Sequence, residues 1–326
     1  MTEIIIREYE DQDFDQLLQL NLEDQSNWFF GTPDGTLSQR KARWEELTPY
    51  ERWLHGGWWL DPETLKLYIH VIKKTGSKIF VAEHNEQLIG ECDLSIGFDP
   101  EFGQLRGHLM WLLTKPTHRK KGVAQKLLSH AMTYLKTRNA EELFTEAEDE
   151  RSENLYKKIG FIQKTTIVKK FLNNPVGLDE GLIERLDERY NLKEIKFDEI
   201  PFNTQIRILG TYYTPIWDVY RCESLPELYD ILGVPVPDPK PVEIIDKRDN
   251  TKYYGILDQN PRLWIPKKTS MLIIKELIFL LITESYYEAH GPELLLQYYS
   301  KNNPLVEFIQ DLNGKTETLP LYYKRF

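Results

Sequence analysis

Residues 114–128 read TKPTHRKKGVAQKLL, and this stretch limits the possible folds more than any other part of the chain. The apolar run before it, HLMWLLT at 108–114, is strand-like and meets Lys115-Pro116. Proline cannot donate to a sheet ladder, so strand pairing is expected to stop there. From Gly122 onward, Val123, Ala124, Leu127, Leu128, Ala131, Tyr134 and Leu135 recur at helical spacing, which predicts an amphipathic helix over 122–138. A strand, a short turn and a helix in immediate succession collect unpaired backbone N–H groups at one point, where the positive end of the helix dipole favours an anion such as a diphosphate. Gly122 lets the backbone come close, Ala124 keeps the next contact small, and Arg119, Lys120 and Lys121 add positive charge. The other reading is a solvated basic cap. The nucleotide-binding patterns GxxxxGK[ST] and GxGxxG do not occur here.

At 326 residues the chain is long enough for two domains. Its net charge of -10 argues against non-specific nucleic-acid binding and suits a cationic substrate. Cys92 and Cys222 stand far apart without His or Cys at ligand spacing, so neither a disulfide framework nor a metal site is expected, and both read as buried thiols. The first residues lack the pattern of a secretory leader, and a cytoplasmic location is expected. The most apolar run, MLIIKELIFLLI at 271–282, is too short to span a bilayer and contains Lys275 and Glu276, so it reads as a buried helix and no membrane partner is expected.

Upstream of the turn, residues 4–9 read as a strand, and Phe14, Leu17, Leu18 and Leu22 as one face of a helix. Residues 26–76 are rich in large aromatics and read either as extra core or as a cover for a substrate. KIFVA and LIGECDL flank the polar tip His84-Asn85-Glu86-Gln87 and predict a hairpin. Downstream, ELFTEA is strand-like, and DERSENLYKKIGF combines an N-cap aspartate, a short helix and a terminating glycine before a last strand at 161–171.

TKPTHRKKGVAQKLL followed by DERSENLYKKIGF resembles the acetyl-CoA-binding core of the GNAT family of N-acetyltransferases. The family pattern [R/Q]xxGx[G/A] falls on Arg119, Gly122 and Ala124, and the likeness covers residues 4–171. It implies an α+β fold, a mixed sheet flanked by helices, with acetyl-CoA as acetyl donor. By the same resemblance, Arg119, Lys120, Lys121, Gly122, Val123, Ala124 and Gln125 hold the pyrophosphate. Leu112, Leu113 and Thr114 pair with the pantetheine arm, although Thr114 departs from the apolar residue usual there. Asp149 occupies a place often held by Asn and also suits a helix cap; Ser152 stands at the small-residue place after it.

Acetyl transfer to an amine needs a neutral nucleophile, a polarised thioester and a proton for the departing thiolate. Tyr156 lies where the family carries its general acid; otherwise it is a core aromatic. The base is open between His108, Glu146 and Glu91, and His108 is equally readable as a strand histidine with its hydrogen bonds satisfied. Phe144 falls where some protein-acetylating members carry Glu. The run EAEDE at 146–150 and the group Glu91, Asp93 and Asp99 read either as a negative field for a cationic amine or as solvated charge.

A gap-free shift of 153 lays Trp111 on Trp264, Lys115 on Lys268 and Leu127-Leu128 on Leu280-Leu281, and VEIIDKRDNTKYYGIL repeats the earlier hairpin logic. The expected organisation is therefore a GNAT domain at 1–172, a connection at 173–189 and a degenerate GNAT-like α+β domain at 190–326. Under that shift Arg119, Gly122 and Ala124 become Leu272, Lys275 and Leu277, and Tyr156 becomes Ile309, so the second copy keeps no pyrophosphate turn. Tyr212, Tyr213 and Trp217 are candidates for shaping the substrate site. The expected activity is acetyl transfer from acetyl-CoA directly to a small cationic amine or a peptide amine, with no metal. A binding protein or sensor without turnover is the alternative.

Overall fold

The two halves of the chain build one sheet together. The computed structural model describes residues 3–32, 35–147, 149–172, 180–211, 213–285, 293–298, 304–312 and 314–326. Glu148, Tyr212 and the connecting residues 173–179 lie outside the described residues.

The first half runs β1 (Ile5–Glu8), α1 (Phe14–Asp24), β2 (Trp28–Gly31), β3 (Leu37–Ala42), α2 (Pro49–Gly56), α3 (Pro62–Lys74), β4 (Lys78–His84), β5 (Gln87–Asp99), β6 (Gln104–Thr114), α4 (Val123–Thr137), β7 (Glu142–Glu146), α5 (Glu150–Lys158) and β8 (Ile162–Phe171). The second half continues with α6 (Glu180–Arg189), β9 (Tyr190–Glu194), β10 (Ile206–Leu209), α7 (Pro215–Glu223), α8 (Leu225–Leu232), β11 (Lys240–Asp246), β12 (Lys252–Leu257), β13 (Arg262–Ile265), α9 (Met271–Glu284), β14 (Glu293–Tyr298), α10 (Pro304–Asp311) and β15 (Lys315–Arg325).

Local chemistry accounts for the starts of the helices that frame the site. Thr48 caps α2 in a reciprocal box with Glu51, and Pro49 at the first helical position needs no N–H partner. Asp61 caps α3 by accepting from the Glu63 and Thr64 backbones, again with a proline next. Asp149 and Ser152 form the box that opens α5.

The large sheet has the order β1-β4-β5-β6-β7-β15-β8-β14. It is antiparallel except where β6 meets β7. The C-terminal strand β15 is thus inserted between β7 and β8, and β8 in turn lies between β15 and β14. A second sheet, β10-β13-β12-β11-β9, belongs wholly to the second half.

One face of the large sheet packs on α1 and α3 and, from the second half, on α7 and α8, through Leu17, Leu65, Tyr68, Trp217 and Leu228. The other face packs on α4 through Val123, Leu127, Leu128, Ala131 and Leu135. Each such fully buried side chain contributes about 1.5–3 kcal/mol of transfer free energy, enough to hold the strand ends that carry the site. The aromatic segment 26–76 forms the β2–β3 hairpin, α2 and α3. Trp58 and Tyr68 are buried core. Trp59 stacks on Trp111 of β6 at 4.2 Å. As expected, Cys92 and Cys222 are buried and free.

Candidate functional site

Parallel pairing of β6 with β7 covers only Arg106↔Glu142, Gly107↔Leu143 and His108↔Phe144. Beyond His108 the two strands part. On its other edge β6 stays paired with β5, with one irregularity: Asp93 faces Trp111 and Leu94 faces Leu109, so Met110 is an extra residue. A bulge of this kind bends a strand and turns it from its old neighbour. The β7-facing edge of residues 109–114 is therefore exposed to a cleft rather than to another strand. Thr145 on β7 bridges back by donating to the Leu109 carbonyl at 3.1 Å.

That cleft has a volume of about 490 Å³ and runs from the parted strands to the start of α4. Gly122, the N-cap of α4, has φ 82°, and no side chain among the described residues bonds to the first turn. Lys120, two residues earlier, is also left-handed at φ 62°. Alternating left-handed residues turn successive N–H groups to one side and make an anion-binding concavity, to which the helix dipole adds. Arg119, Lys120, Gly122, Val123, Ala124 and Gln125 line it, and Lys121 does not.

Asp24, the last residue of α1, also lines the cleft and forms an ion pair with Arg119, while neighbouring Glu23 pairs with Lys115 at 3.1 Å. Both carboxylates sit at the negative end of α1, where the dipole disfavours them, so they depend on these two cations.

At the inner end of the cleft Glu146 lines the wall and Tyr156 enters from α5. Tyr156 is otherwise buried, 5.4 Å from Phe161 and 6.4 Å from Tyr322 between ring centres. His108 is fully buried and does not line the cleft. Its Nε2 lies 3.6 Å behind a Glu146 carboxylate oxygen, and its ring is flanked by Phe144 at 4.7 Å and Tyr213 at 5.0 Å. Burial pushes the imidazole pKa below its usual value, against the pull of Glu146.

Glu91 is also buried behind the strand. It accepts from Asn21 at 2.7 Å and sits beside Asp93, which accepts from the Tyr68 hydroxyl at 2.7 Å. Burial and the adjacent carboxyl raise Glu91 well above the ordinary carboxylate range, and burial raises Asp93 to about 7.

The structure thus gathers Leu112, Leu113, Thr114, Arg119, Lys120, Gly122, Val123, Ala124, Gln125, Glu146, Asp149 and Tyr156 around one cleft, and leaves His108, Lys121 and Glu91 off its surface. Asp149 is held below the usual carboxylate range by the Ser152 backbone N–H it caps. Sequence reasoning missed Asp24, Met110 and Thr145. Asp24 had one available signal, two acids at a helix C-terminus with no base in the last turn.

In the second half the corresponding features are closed. Ser270 is the N-cap of α9 as Gly122 is that of α4, and Lys275, which the gap-free shift lays on Gly122, lies inside α9. Ser270 caps its own helix by accepting from Ile273 N at 3.5 Å. The outer edge of β13 is occupied by β10, with Ile206↔Ile265, Arg207↔Trp264 and Leu209↔Leu263 paired. Among the described residues no helix is long and apolar enough to cross a membrane, and no His, Cys, Asp or Glu group could hold a metal ion.

The model for the Acetyltransferase (GNAT) family matches residues 40–161. N-alpha-acetyltransferase 30 of Saccharomyces cerevisiae is 27% identical over 121 residues, 35% of this chain and 68% of that protein. Its counterpart from Schizosaccharomyces pombe is 26% identical over 117 residues, 35% of this chain and 76% of that protein. Among solved structures, a GCN5-related N-acetyltransferase from Anabaena variabilis superposes with a TM-score of 0.57 at 10% identity, over 99% of this chain and 73% of that one. A putative acetyltransferase from Pyrococcus horikoshii gives 0.52 at 10% identity, over 99% and 89%. At that identity the likeness speaks for the fold, and it extends over both halves.

Proposed function

We propose that the chain, whose residues 40–161 match the Acetyltransferase (GNAT) family, transfers the acetyl group of acetyl-CoA directly to an amine, a peptide α-amine first among the candidates. The observation that carries the reading is the uncapped start of α4, where Gly122 and Lys120 turn backbone N–H groups into a cleft continuous with the free edge of β6. A diphosphate answers the first and an amide-bearing arm the second, and coenzyme A joins the two. The names of the yeast relatives support a peptide terminus as acceptor.

In this reading Glu146 takes a proton from the incoming ammonium, directly or through one water. His108, its basicity lowered by burial, stands 3.6 Å behind that carboxylate. The freed nitrogen attacks the thioester carbonyl, the C–N bond forms, the C–S bond breaks and the thiolate takes the proton of Tyr156, while the second proton shed by the nitrogen as it becomes an amide restores the tyrosine through solvent. An acid is needed because a thiolate departing into an apolar cleft is costly unless it is protonated.

We read the second half as a degenerate copy. Support comes from the succession β11-β12-β13-α9-β14-α10-β15, which repeats β4-β5-β6-α4-β7-α5-β8. The sheet order β7-β15-β8-β14 adds to it, because the last strand of each succession lies beside the last strand of the other.

Isothermal titration with acetyl-CoA, combined with thiol release over N-terminal peptides, polyamines and small amines, tests the whole. Binding at one site with turnover on some acceptors is the expected result. Binding without release on any acceptor points to a sensor, and no binding overturns the proposal.

A further inference from the structure

One strand of the second half reaches the proposed acid. Tyr322 of β15 is buried in the same core as Tyr156 and Phe161, and its hydroxyl donates to Glu153 Oε1 at 2.5 Å. Glu153 lies on α5 one turn before Tyr156 and also pairs with Lys157 at 2.5 Å. On its two edges, β15 sets Leu321 opposite Glu146 and Tyr322 opposite Thr145 on β7, and Tyr322 opposite Gln163 on β8. The strand therefore touches the wall that bears the base and the helix that bears the acid. Its side chains alternate between the two faces, with Tyr323 stacked on Phe144 at 5.9 Å while Tyr322 faces α5.

We propose that Tyr322 is a positioning residue for Tyr156, so that the half without a cosubstrate cleft supplies part of the active site of the other. This rests on the reading of Tyr156 as the acid. Asp149 and Ser152 cap the start of this short helix. A buried phenol bonded to Glu153 ties it at a second point, one turn from the reacting hydroxyl. Burial raises the Tyr322 pKa to about 12, so the phenol remains a donor throughout the working range of pH. Tyr322 does not line the cleft and takes no part in the proton transfer itself.

The test compares Tyr322→Phe, Glu153→Gln and Tyr156→Phe, alone and in pairs. Each is assayed for kcat, KM for acetyl-CoA and the pH profile, with coenzyme A affinity measured as a check on the fold. Tyr322→Phe keeps the packing and removes the hydrogen bond, and it should lower kcat by roughly tenfold while KM for acetyl-CoA stays within about twofold, in line with the loss of one hydrogen bond to a charged group. Its alkaline limb should shift, Glu153→Gln should reproduce the loss, and neither change should lower the activity left in Tyr156→Phe.

If Tyr322→Phe keeps the wild-type kcat and alkaline limb, or lowers kcat equally in the Tyr156→Phe background, the positioning role is wrong. If Tyr156→Phe itself keeps full activity while still binding coenzyme A, the acid assignment fails and takes this inference with it.

Discussion

The two long helices α4 and α9 start from similar material and end in different states. Each follows a strand and a proline, Pro116 or Pro266, with a pair of lysines in the turn, and each packs an apolar face onto its own half. Before α4, Gly122 contributes no side chain and its φ of 82° turns the chain away, so the cap residue offers the first N–H groups no side-chain acceptor. Before α9, Ser270 is extended and returns its own hydroxyl to Ile273. The neighbouring strand edges differ in the same sense: among the described residues no strand pairs the β7-facing edge of β6 beyond His108, whereas β13 is covered by β10. On the proposed function, the open helix start and strand edge admit a cosubstrate to the first half, and backbone groups satisfied by the chain itself exclude one from the second.

Making the first helix start resemble a closed one should have the largest effect. Gly122→Asp adds a carboxylate where the proposed function places the diphosphate and forces a side chain into left-handed backbone. It should weaken coenzyme A binding by about a hundredfold or more in calorimetry. A Cβ at Gly122 meets nothing within 4 Å, so the loss comes from charge and backbone strain rather than a clash. Affinity within threefold of the wild type would break the comparison at its root.

The start of α4 was legible from sequence because its signal is local: a proline, a glycine and a helical repeat within fifteen residues. The same holds for the β4–β5 hairpin tip and the Asp149 cap. The full lengths of β5 and β6 were not legible. Residues 95–107 contain Gly97, Pro100, Gly103 and Gly107 and look like a loop, yet they form the long arms of two strands. Gly107 is there because a side chain would collide with Leu135 of α4 at 2.6 Å, a contact between distant parts of the chain.

The insertion of β15 beside β7 is likewise a tertiary fact, since nothing in residues 315–325 names the sheet they join. At the site, His108 lay on the expected strand, but the side chain faces the core. The bulge at Met110 changes which residues look into the cleft, and no pattern in HLMWLLT announces it.

Charge at the open helix start should matter next. Arg119→Gln and Lys120→Gln should each weaken coenzyme A binding about three- to tenfold, with a smaller dependence on salt. Asp24→Asn should act in the opposite direction and tighten it about two- to fivefold, because the Asp24 carboxylate occupies Arg119 at the mouth of the cleft. Weaker binding by Asp24→Asn would mean that the ion pair holds the turn in shape, and the account of Asp24 as a competitor would be wrong.

Opening the second helix start should do little. Ser270→Gly removes the cap at a cost of only a few tenths of a kcal/mol in stability. The binding stoichiometry should stay at one acetyl-CoA per chain, because β10 still covers β13. A second site in titration would show that the cap alone kept this half closed, and would remove the strand edge from the argument.

A further comparison concerns buried charge, which the two halves also handle differently. Asp218 is fully buried, and although burial raises its pKa, Arg262 and Arg207 draw it below the ordinary value. Among the described residues Glu91 and Asp93 have no such cation, and both are raised. A carboxyl with a raised folded pKa holds in the native state a proton that the unfolded chain has released. Its contribution is complete below the unfolded value near 4 and is lost as pH rises through about 7 for Asp93. Asp218 works the other way, stabilising above its unfolded pKa and losing that only in acid. Between pH 5 and 8 the first half should therefore weaken while Asp218 stays neutral in its effect. Asp93→Asn should flatten the fall in Tm over that window by a few degrees, on the order expected for a change of about 1 kcal/mol. A Tm slope as steep as in the wild type would show that the Glu91–Asp93 pair is not the titrating group, leaving Glu101, raised by burial to about 7, as the next to replace.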